Sequence, residues 1–430
     1  MFLSWTIFVL FVFVLVVVLV HWVGLFVFLY CIHRKEWQEP KTAYRPKVTV
    51  ILALRGSDPF LHRCLSGLLS QNYGNYAVRI VVDHPDDPAL KIVREVLDTH
   101  VGVTNSGIGT NDVDLLMTSR HRETCALKCN SLLEVVERLD ADTEVVVTLD
   151  ADTNPYSTWL AELVEPLCDD RFIASTGMRW YFPPKSNFGT LVRYLWNAAA
   201  FVQMYFYKIP WAGSMAIRRE LFDQHGLGQC WEYSLSDDQV LPCAVRRSGK
   251  RIAYVTSVLM ANQETCRLIP FFYWVRRQML VNKLYHPSWP AVLGQCLTIS
   301  IPQMVLIGLM IGTMWTSKWL EFYQVAGTFL LYWFAVLATL FPMECAVRRM
   351  MKCTNTIMPK RPTLSMIVAT ILAVLLTQAI YTLAVVSLFW QKEVDWRGVR
   401  YRLLPKGRVQ LLEYKPFLES KTKTETTDSL

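Results

Sequence analysis

Residues 145–153 read VVVTLDADT, in which Val145, Val146, Val147, Thr148 and Leu149 run straight into Asp150-Ala151-Asp152. An unalternating β-favouring run with helical patterns on both sides predicts a buried strand of a largely parallel sheet. Two carboxylates then emerge together at its C-terminal end, the edge of an open α/β sheet where ligands sit. Acids one residue apart repel each other unless a proton or a cation relieves them. A hard divalent metal shared with substrate phosphates is the usual relief. Asp150 and Asp152 are therefore candidates for a metal–diphosphate site. The plainer alternative is a solvated acidic turn after a core strand.

The flanking chain repeats the theme. Residues 47–54 (KVTVILAL) predict a first strand that releases into Arg55-Gly56-Ser57-Asp58-Pro59, a turn by composition. Leu61, Cys64, Leu65, Leu68 and Leu69 recur at helical spacing, and residues 76–82 (YAVRIVV) predict a second strand. That strand too ends in acids, at Asp83, Asp86 and Asp87. A helix carrying Ile92, Val93, Val96 and Leu97 comes next. A Gly/Asn/Asp-rich loop near residues 102–114 follows, then a helix with Cys129, Leu132, Leu133 and Val136 on one face. Beyond Asp152, residues 159–167 read as helix and 172–178 as a short strand. Such alternation predicts an α/β domain with helices packed on a mainly parallel mixed sheet. Residues 188–207 form an apolar, aromatic-rich helix that suits either the core or the bilayer surface. Residues 211–214 are a small-residue turn where backbone could approach a ligand. Ser236-Asp237-Asp238-Gln239 has the composition of an ordinary helix cap.

Apolar residues make up 52% of the 430-residue chain, and they are concentrated in blocks. Residues 1–33 exceed the ~20 residues needed to cross a bilayer, and lack a small-residue cleavage site, so they predict a retained anchor. Three further blocks lie near residues 291–315, 323–346 and 364–390. The expected organisation is an anchor, an aqueous domain over residues 40–285, about three membrane helices over 291–390, and a basic then disordered tail over 391–430. Much of the net charge of +8 flanks the blocks, at His33, Arg34 and Lys35, at Arg276, Arg277 and Lys283, and at Arg348, Arg349, Lys352, Lys360 and Arg361. Basic flanks mark the cytoplasmic side, so four crossings would put the domain in the cytosol. The same count leaves the basic tail (Lys392, Arg397, Arg400, Arg402) on the far side, a conflict that one interfacial block would remove. Basic residues that track membrane edges argue against nucleic-acid binding. Eleven scattered cysteines without a CxxC pair predict reduced thiols rather than disulfides or zinc.

The order of motifs resembles the family 2 glycosyltransferases of the GT-A fold, and within them the ceramide glucosyltransferase-like branch. The resemblance rests on Gly56-Ser57-Asp58-Pro59, His84-Pro85-Asp86-Asp87-Pro88-Ala89, Lys128-Cys129-Asn130, Asp150 with Asp152, Asp237-Asp238, and the tail Trp396-Arg397-Gly398-Val399-Arg400-Tyr401-Arg402-Leu403. It spans essentially the whole chain. It implies a UDP-sugar donor, a Mg or Mn ion, a membrane lipid acceptor such as ceramide, and a hexose, glucose by analogy, transferred with inversion. By the same resemblance, Asp152 helped by Asp150 would hold the metal, and Asp87 (or Asp86) would read the nucleotide. Lys128, Arg277 and Arg276 would face the diphosphate. Asp238, beside Asp237, would be the base. The family's QxxRW stretch is altered, because Trp274-Val275-Arg276-Arg277-Gln278 keeps the arginine and replaces its flanks. Other readings are a processive polysaccharide synthase, an enzyme acting on diacylglycerol or hopanoid-type lipids, and an inactive membrane scaffold.

Overall fold

The computed structural model describes residues 2–34, 44–100, 110, 112–353 and 362–418. Parts of the linker near residues 39–46 and of the loop near 102–114, Lys35, Lys360, Arg361 and the tail beyond 418 lie outside the described residues.

A seven-stranded mixed sheet, mostly parallel, organises the aqueous domain. Its strands are β1 (Val48–Leu54), β2 (Tyr76–Val82), β3 (Val113–Met117), β4 (Val145–Leu149), β5 (Phe172–Tyr181), β6 (Ser214–Arg218) and β7 (Arg251–Asn262), in the order β3-β2-β1-β4-β6-β5-β7. β1 pairs in parallel with both β2 and β4, with Leu54 opposite Val82 and Leu52 opposite Leu149. Every residue of β4 is buried, which is why its sequence does not alternate. The order of connection reverses at β1, since β2 and β3 lie on one side of it and β4 on the other. Ligands bind at such a switch point, beyond the strand ends. Arg55, Asp83 and Asp150 follow these aligned ends.

Helices cover the sheet where the apolar spacing places them. They are α1 (Phe2–Arg34), α2 (Leu61–Leu69), α3 (Ala89–His100), α4 (Leu127–Val136), α5 (Trp159–Val164), α6 (Phe188–Tyr207), α7 (Glu220–Asp223), α8 (Leu227–Glu232), α9 (Leu241–Ser248) and α10 (Leu268–Tyr285). In α2, all five residues of the predicted stripe are buried. α6 is a core helix along much of its length. Leu191, Val192, Tyr194, Leu195 and Phe201 are buried, and Arg193 is 1% exposed with its ion-pair partner Glu264, which follows β7. Its basic and aromatic residues point in part into the protein, so the surface-helix expectation does not describe its main contacts.

Among the described residues, four helices are long and apolar enough to cross a membrane: α1, α11 (Trp289–Trp315), α12 (Trp319–Cys353) and α13 (Leu364–Ser387).

The basic part of the tail is folded. Residues 393–414 are a three-stranded antiparallel meander, β8 (Glu393–Trp396), β9 (Val399–Leu403) and β10 (Val409–Tyr414). Val394, Val399, Tyr401 and Val409 are buried, while Arg400 and Arg402 point outward to Glu413 and Glu393. The alternation is present in the sequence, but the outward arginines disguise it. The β8–β9 turn puts both Arg397 (φ 49°) and Gly398 (φ 81°) in the left-handed region, as a two-residue hairpin requires. For arginine that conformation is uncommon. The Arg397 carbonyl accepts from Arg55 Nε and Nη2, at 3.2 and 2.7 Å, and this holds the turn.

The small-residue turn before β6 serves packing. A Cβ on Gly213 would stand 2.2 Å from Trp211 Cζ2, so glycine is what lets the Trp211 indole fold back. Gly213→Ala is expected to lower stability by about 1–3 kcal/mol through overpacking, measured by thermal unfolding in detergent.

Candidate functional site

The acids that follow the sheet come together around one lysine. Lys128 projects from the first turn of α4, with Nζ 2.6 Å from Asp150 Oδ1 and 3.1 Å from Asp237 Oδ2. Burial alone would lower its pKa, but Asp150 and Asp237 outweigh that and hold the ammonium well above its usual range. Asp237 is pushed up to about 6 by burial, against the pull of Lys128.

Asp237 and Asp238 are not caps. α9 begins after Val240 without a side-chain cap, and only the Asp238 carbonyl accepts from Leu241 N–H. The Asp238 carboxylate is free to turn the other way. Its Oδ2 accepts the Ala212 N–H at 3.2 Å, and its Oδ1 accepts the Ser236 hydroxyl at 2.5 Å. Two short-range donors thus fix its direction beside the Trp211-Ala212-Gly213 turn. They leave its remaining lone pairs for an incoming proton.

Asp152 occupies the other side. Its Oδ1 is shielded from solvent and has no hydrogen-bond partner, and Arg179 Nη1 lies 3.8 Å from Oδ2. Burial first, then the negative charge of Asp150, raises its pKa to about 7, with Glu264 and Asp58 adding to the rise. Asp58 is itself raised to about 6 by burial and by Glu264. An orphaned carboxylate oxygen among several acids that Lys128 and Arg179 offset only in part fits a divalent cation, although the described residues gather no protein-only cluster of three ligands. Substrate oxygens would have to complete such a site.

Arg277 faces this group from α10. Its guanidinium stacks over the Trp396 ring at 5.3 Å, and it has no carboxylate or hydrogen-bond partner among the described residues. Burial and the neighbouring Arg397 lower its pKa to about 10, opposed by Asp150. A half-buried guanidinium with no carboxylate partner among the described residues, within electrostatic reach of Asp150, is a ready anion site.

Other expected residues stand apart. Arg276, next on the helix, packs over Phe272 and Tyr273 at 5.8 and 5.0 Å, and the latter ring is exposed. One step along a helix turns a side chain by about 100°, so Arg276 points away from Arg277's site, and this corrects its assignment. Asp86 is exposed, beside His84. Asp87 is buried as a bracket: its carboxylate accepts the N–H groups of Gly56 (2.9 Å) and Ala89 (2.9 Å), fixing the β1 turn to the start of α3.

Several residues of the site escaped the sequence reading. Arg179 lies between the rings of Tyr181, Trp211 and Trp274, 4.8–5.3 Å from each centroid. A lone arginine in the otherwise buried β5 run was the available signal. Glu264 follows β7 as Asp83 follows β2 and Asp150 follows β4, a third strand ending in an acid. Arg397 reaches within 4.0 Å of Asp58. At the β2 end Asp83 pairs with Arg55 and accepts the Tyr414 hydroxyl (3.0 Å), while His121 Nε2 lies 3.3 Å from its Oδ1 without a hydrogen bond and the His121 and Tyr414 rings are 4.0 Å apart. The meander therefore supplies three side chains, Trp396, Arg397 and Tyr414, to the rim of the crevice.

Comparison with known proteins gives three results. The family described as Glycosyl transferase family 21 matches residues 16–409. No curated protein matches the chain closely enough to count as a relative. Among solved structures, the chain is similar to the mannosyltransferase of Pyrobaculum calidifontis in complex with GDP-Man and Mn2+. They share 16% identity over 87% of this chain and 99% of that one, with a TM-score of 0.46. It is also similar to glucosyl-3-phosphoglycerate synthase from Mycobacterium tuberculosis in complex with Mn2+ and UDP-Glc. There the identity is 15% over 55% of this chain and 77% of that one, with a TM-score of 0.37.

Proposed function

From the premise that the chain belongs to glycosyl transferase family 21 and carries a GT-A catalytic domain, we propose a specific reaction. A hexose, glucose by family resemblance, passes from a UDP-sugar to the hydroxyl of a membrane lipid such as ceramide, on the cytosolic face. The observation that carries this reading is the placement of the acid crevice. Asp150 and Asp237 hold Lys128, Asp238 stands next to Asp237 and Asp152 next to Arg179, and Arg277 on α10 faces the crevice. α10 in turn packs on the apolar α13. A soluble donor and a lipid hydroxyl can meet only at such a boundary.

In this mechanism the acceptor oxygen attacks the anomeric carbon as the carbon–oxygen bond to the diphosphate breaks. UDP takes the bonding electrons, and Asp238 takes the acceptor's proton. One displacement with one base, and no covalent carboxylate, inverts the anomeric centre; glycosidase logic applies by analogy. Asp152 and Asp150 would hold a Mg or Mn ion, which supplies positive charge to the leaving diphosphate. Arg277 offers fixed charge to the same group, and Lys128 keeps Asp150 and Asp237 in place. Arg179 holds Asp152 on its aromatic platform.

A donor-by-acceptor panel tests the reading. Membranes with wild type or variant receive labelled UDP-sugars and separate lipids, and products are resolved by thin-layer chromatography. The expected product is a single-sugar lipid extractable into organic solvent. Polymer at the origin would favour a synthase, and no transfer with any donor would favour a scaffold. Asp152→Ala is expected to abolish the Mn-dependent gain in UDP-sugar binding, read by calorimetry on purified protein. An unchanged metal dependence would remove Asp152 from the metal role.

A further inference from the structure

Four apolar helices and a tail bonded to the catalytic domain do not fit a simple count of crossings. The meander after α13 is anchored on the domain at several points. Arg55 donates to the Arg397 carbonyl, and Leu127 N–H to Tyr401 Oη at 2.9 Å. Leu411 N–H donates to the Glu123 carbonyl at 2.7 Å, and Tyr285 Oη–H to the Gly407 carbonyl at 2.6 Å. Domain and meander therefore lie on one side of the bilayer. The chain between Tyr285 and Glu393 must cross an even number of times, yet it holds three helices of spanning length.

We propose that α13 does not cross, and instead lies along the membrane surface of the catalytic domain with its free face in the acyl region of the adjoining leaflet. Only α1, α11 and α12 span. The contacts of each helix separate the cases.

α11 starts at the domain, where Ser288 Oγ donates to the Tyr207 carbonyl at 3.0 Å. Its second half packs away from the domain, with Leu306 in a cluster that holds Ile7, Val14 and Val17 of α1 and Val325 and Tyr332 of α12. α12 returns. Near its C-terminal end Glu344 accepts from Tyr194 of α6 at 3.1 Å, Arg348 lies over Phe182 at 5.4 Å, and Met351 is fully buried in the domain-side core. α1 likewise ends against the domain, with Phe28 5.4 Å from Phe201.

α13 has its buried residues from Ala373 onward, where its Gln378 also donates to Tyr332 of α12 at 3.3 Å. It packs more on α6 and α10 than on α11 or α12. Ala373, Val374, Ile380, Ala384 and Leu388, spread over more than half its length, all enter the core that α6 and α10 share with the sheet. At its C-terminal end Lys283 of α10 donates to the Leu388 carbonyl at 3.0 Å. A helix of this length would span ~30 Å of hydrocarbon if upright. Held flat, its inner flank is covered by α6 and α10 in place of headgroups, so it needs no polar stripe of its own. Leu364, Leu372 and Leu383 stay exposed, 58–77% of each, on the flank left for acyl chains. Phe389 and Trp390 follow at its end, aromatics suited to headgroup depth.

The assignment removes the charge conflict. With α13 flat, Arg276 and Lys283, Arg348 and Lys352, and Lys392, Arg400 and Arg402 fall on one side, as the positive-inside bias requires. It does not depend on which reaction the site performs.

Side-specific labelling tests it on the full chain in sealed vesicles. A Gly/Ser insert carrying one cysteine is placed after Ser317, after Pro362 or after Leu430, in three separate proteins. An impermeant maleimide is applied before and after permeabilisation, and labelled peptides are assigned by mass spectrometry. Exposed Cys168 on the domain marks the domain's side. The inserts after Pro362 and Leu430 are expected to react together with Cys168, and the insert after Ser317 only from the opposite side. Reaction of the Pro362 or Leu430 insert from the side opposite Cys168 would overturn the proposal. Co-reaction of the Ser317 insert with Cys168 would overturn it as well. Labelling of Cys168 from one side only, with the buried Cys64, Cys125 and Cys129 left unlabelled, reports in each protein that the domain has folded and inserted in a single orientation.

Discussion

Asp238→Asn is expected to slow sugar transfer by about 10²–10⁴-fold, the usual contribution of a positioned general base. UDP binding should persist. The geometry makes this substitution informative, because Ser236 and the Ala212 N–H fix the carboxylate from two sides. An asparagine that keeps its oxygen toward Ala212 N–H preserves the shape and removes only the proton acceptor. Single-turnover formation of labelled lipid gives the rate, and calorimetry with UDP gives the binding. Transfer at the wild-type rate would take the role from Asp238. Asp237→Asn then becomes the decisive variant, since Asp237 is the neighbouring carboxylate and pairs with Lys128. A loss of transfer and UDP binding together would point to a collapsed crevice rather than a missing base.

Lys128→Met should be the most destabilising single change in the crevice. It strips the shared cation from Asp150 and Asp237, and removing one partner of a buried pair costs about 3–5 kcal/mol. The lysine side chain is 22% exposed, which places the expectation toward the lower end. The pH dependence follows from sign. Asp237 already has a folded-state pKa of about 6, above the usual value of 3.8, and loss of Lys128 raises it further. A carboxyl with a raised folded pKa binds its proton more readily folded than unfolded. Lowering the pH from about 7 to about 5 should therefore shrink the variant's deficit against wild type. Thermal unfolding in detergent at both pH values measures this, and Lys128→Met with Asp237→Asn should recover part of the loss. A deficit that is equal at both pH values would mean that packing of the lysine stem, rather than charge, was lost.

Strands with both faces buried were legible because their composition is extreme. β1, β2 and β4 lie within one residue of where the apolar runs place them. β5 runs three residues past its expected end, through Arg179, because a charge inside a buried strand breaks the pattern that predicts strands. The acids were legible as strand-end residues, whereas Lys128 stood out only through the family resemblance, as a group facing the diphosphate, and its pairing with Asp150 and Asp237 had no local signal. What no local pattern carries is direction. Arg276 and Arg277 are neighbours in sequence yet pack on different rings, and the Asp87 carboxylate is taken up by the backbone of Gly56 and Ala89. The meander was hidden for a different reason. Its inward residues are few and its outward ones basic, so composition suggests a solvated tail until the partner surface on Glu123, Leu127 and Tyr285 is known. α13 shows the same limit, since length and hydropathy describe what a helix can do and its neighbours decide what it does.

The pairing of Arg55 with the carbonyl of Arg397 joins residues 342 positions apart, with every membrane helix after the domain lying between them. During synthesis the sheet and its acids are complete long before the meander leaves the ribosome. Until then the crevice lacks Trp396 behind Arg277 and Arg397 beside Asp58. Because domains fold as they emerge, N-terminal parts first, the chain passes through a stage with a formed sheet and an unfinished rim. The rim closes only once α11, α12 and α13 have found their places and delivered β8 to β10 back to the domain. The order of the chain thus makes correct membrane insertion a precondition for a complete site, and a misinserted copy would retain the acids without Trp396, Arg397 and Tyr414 at their rim.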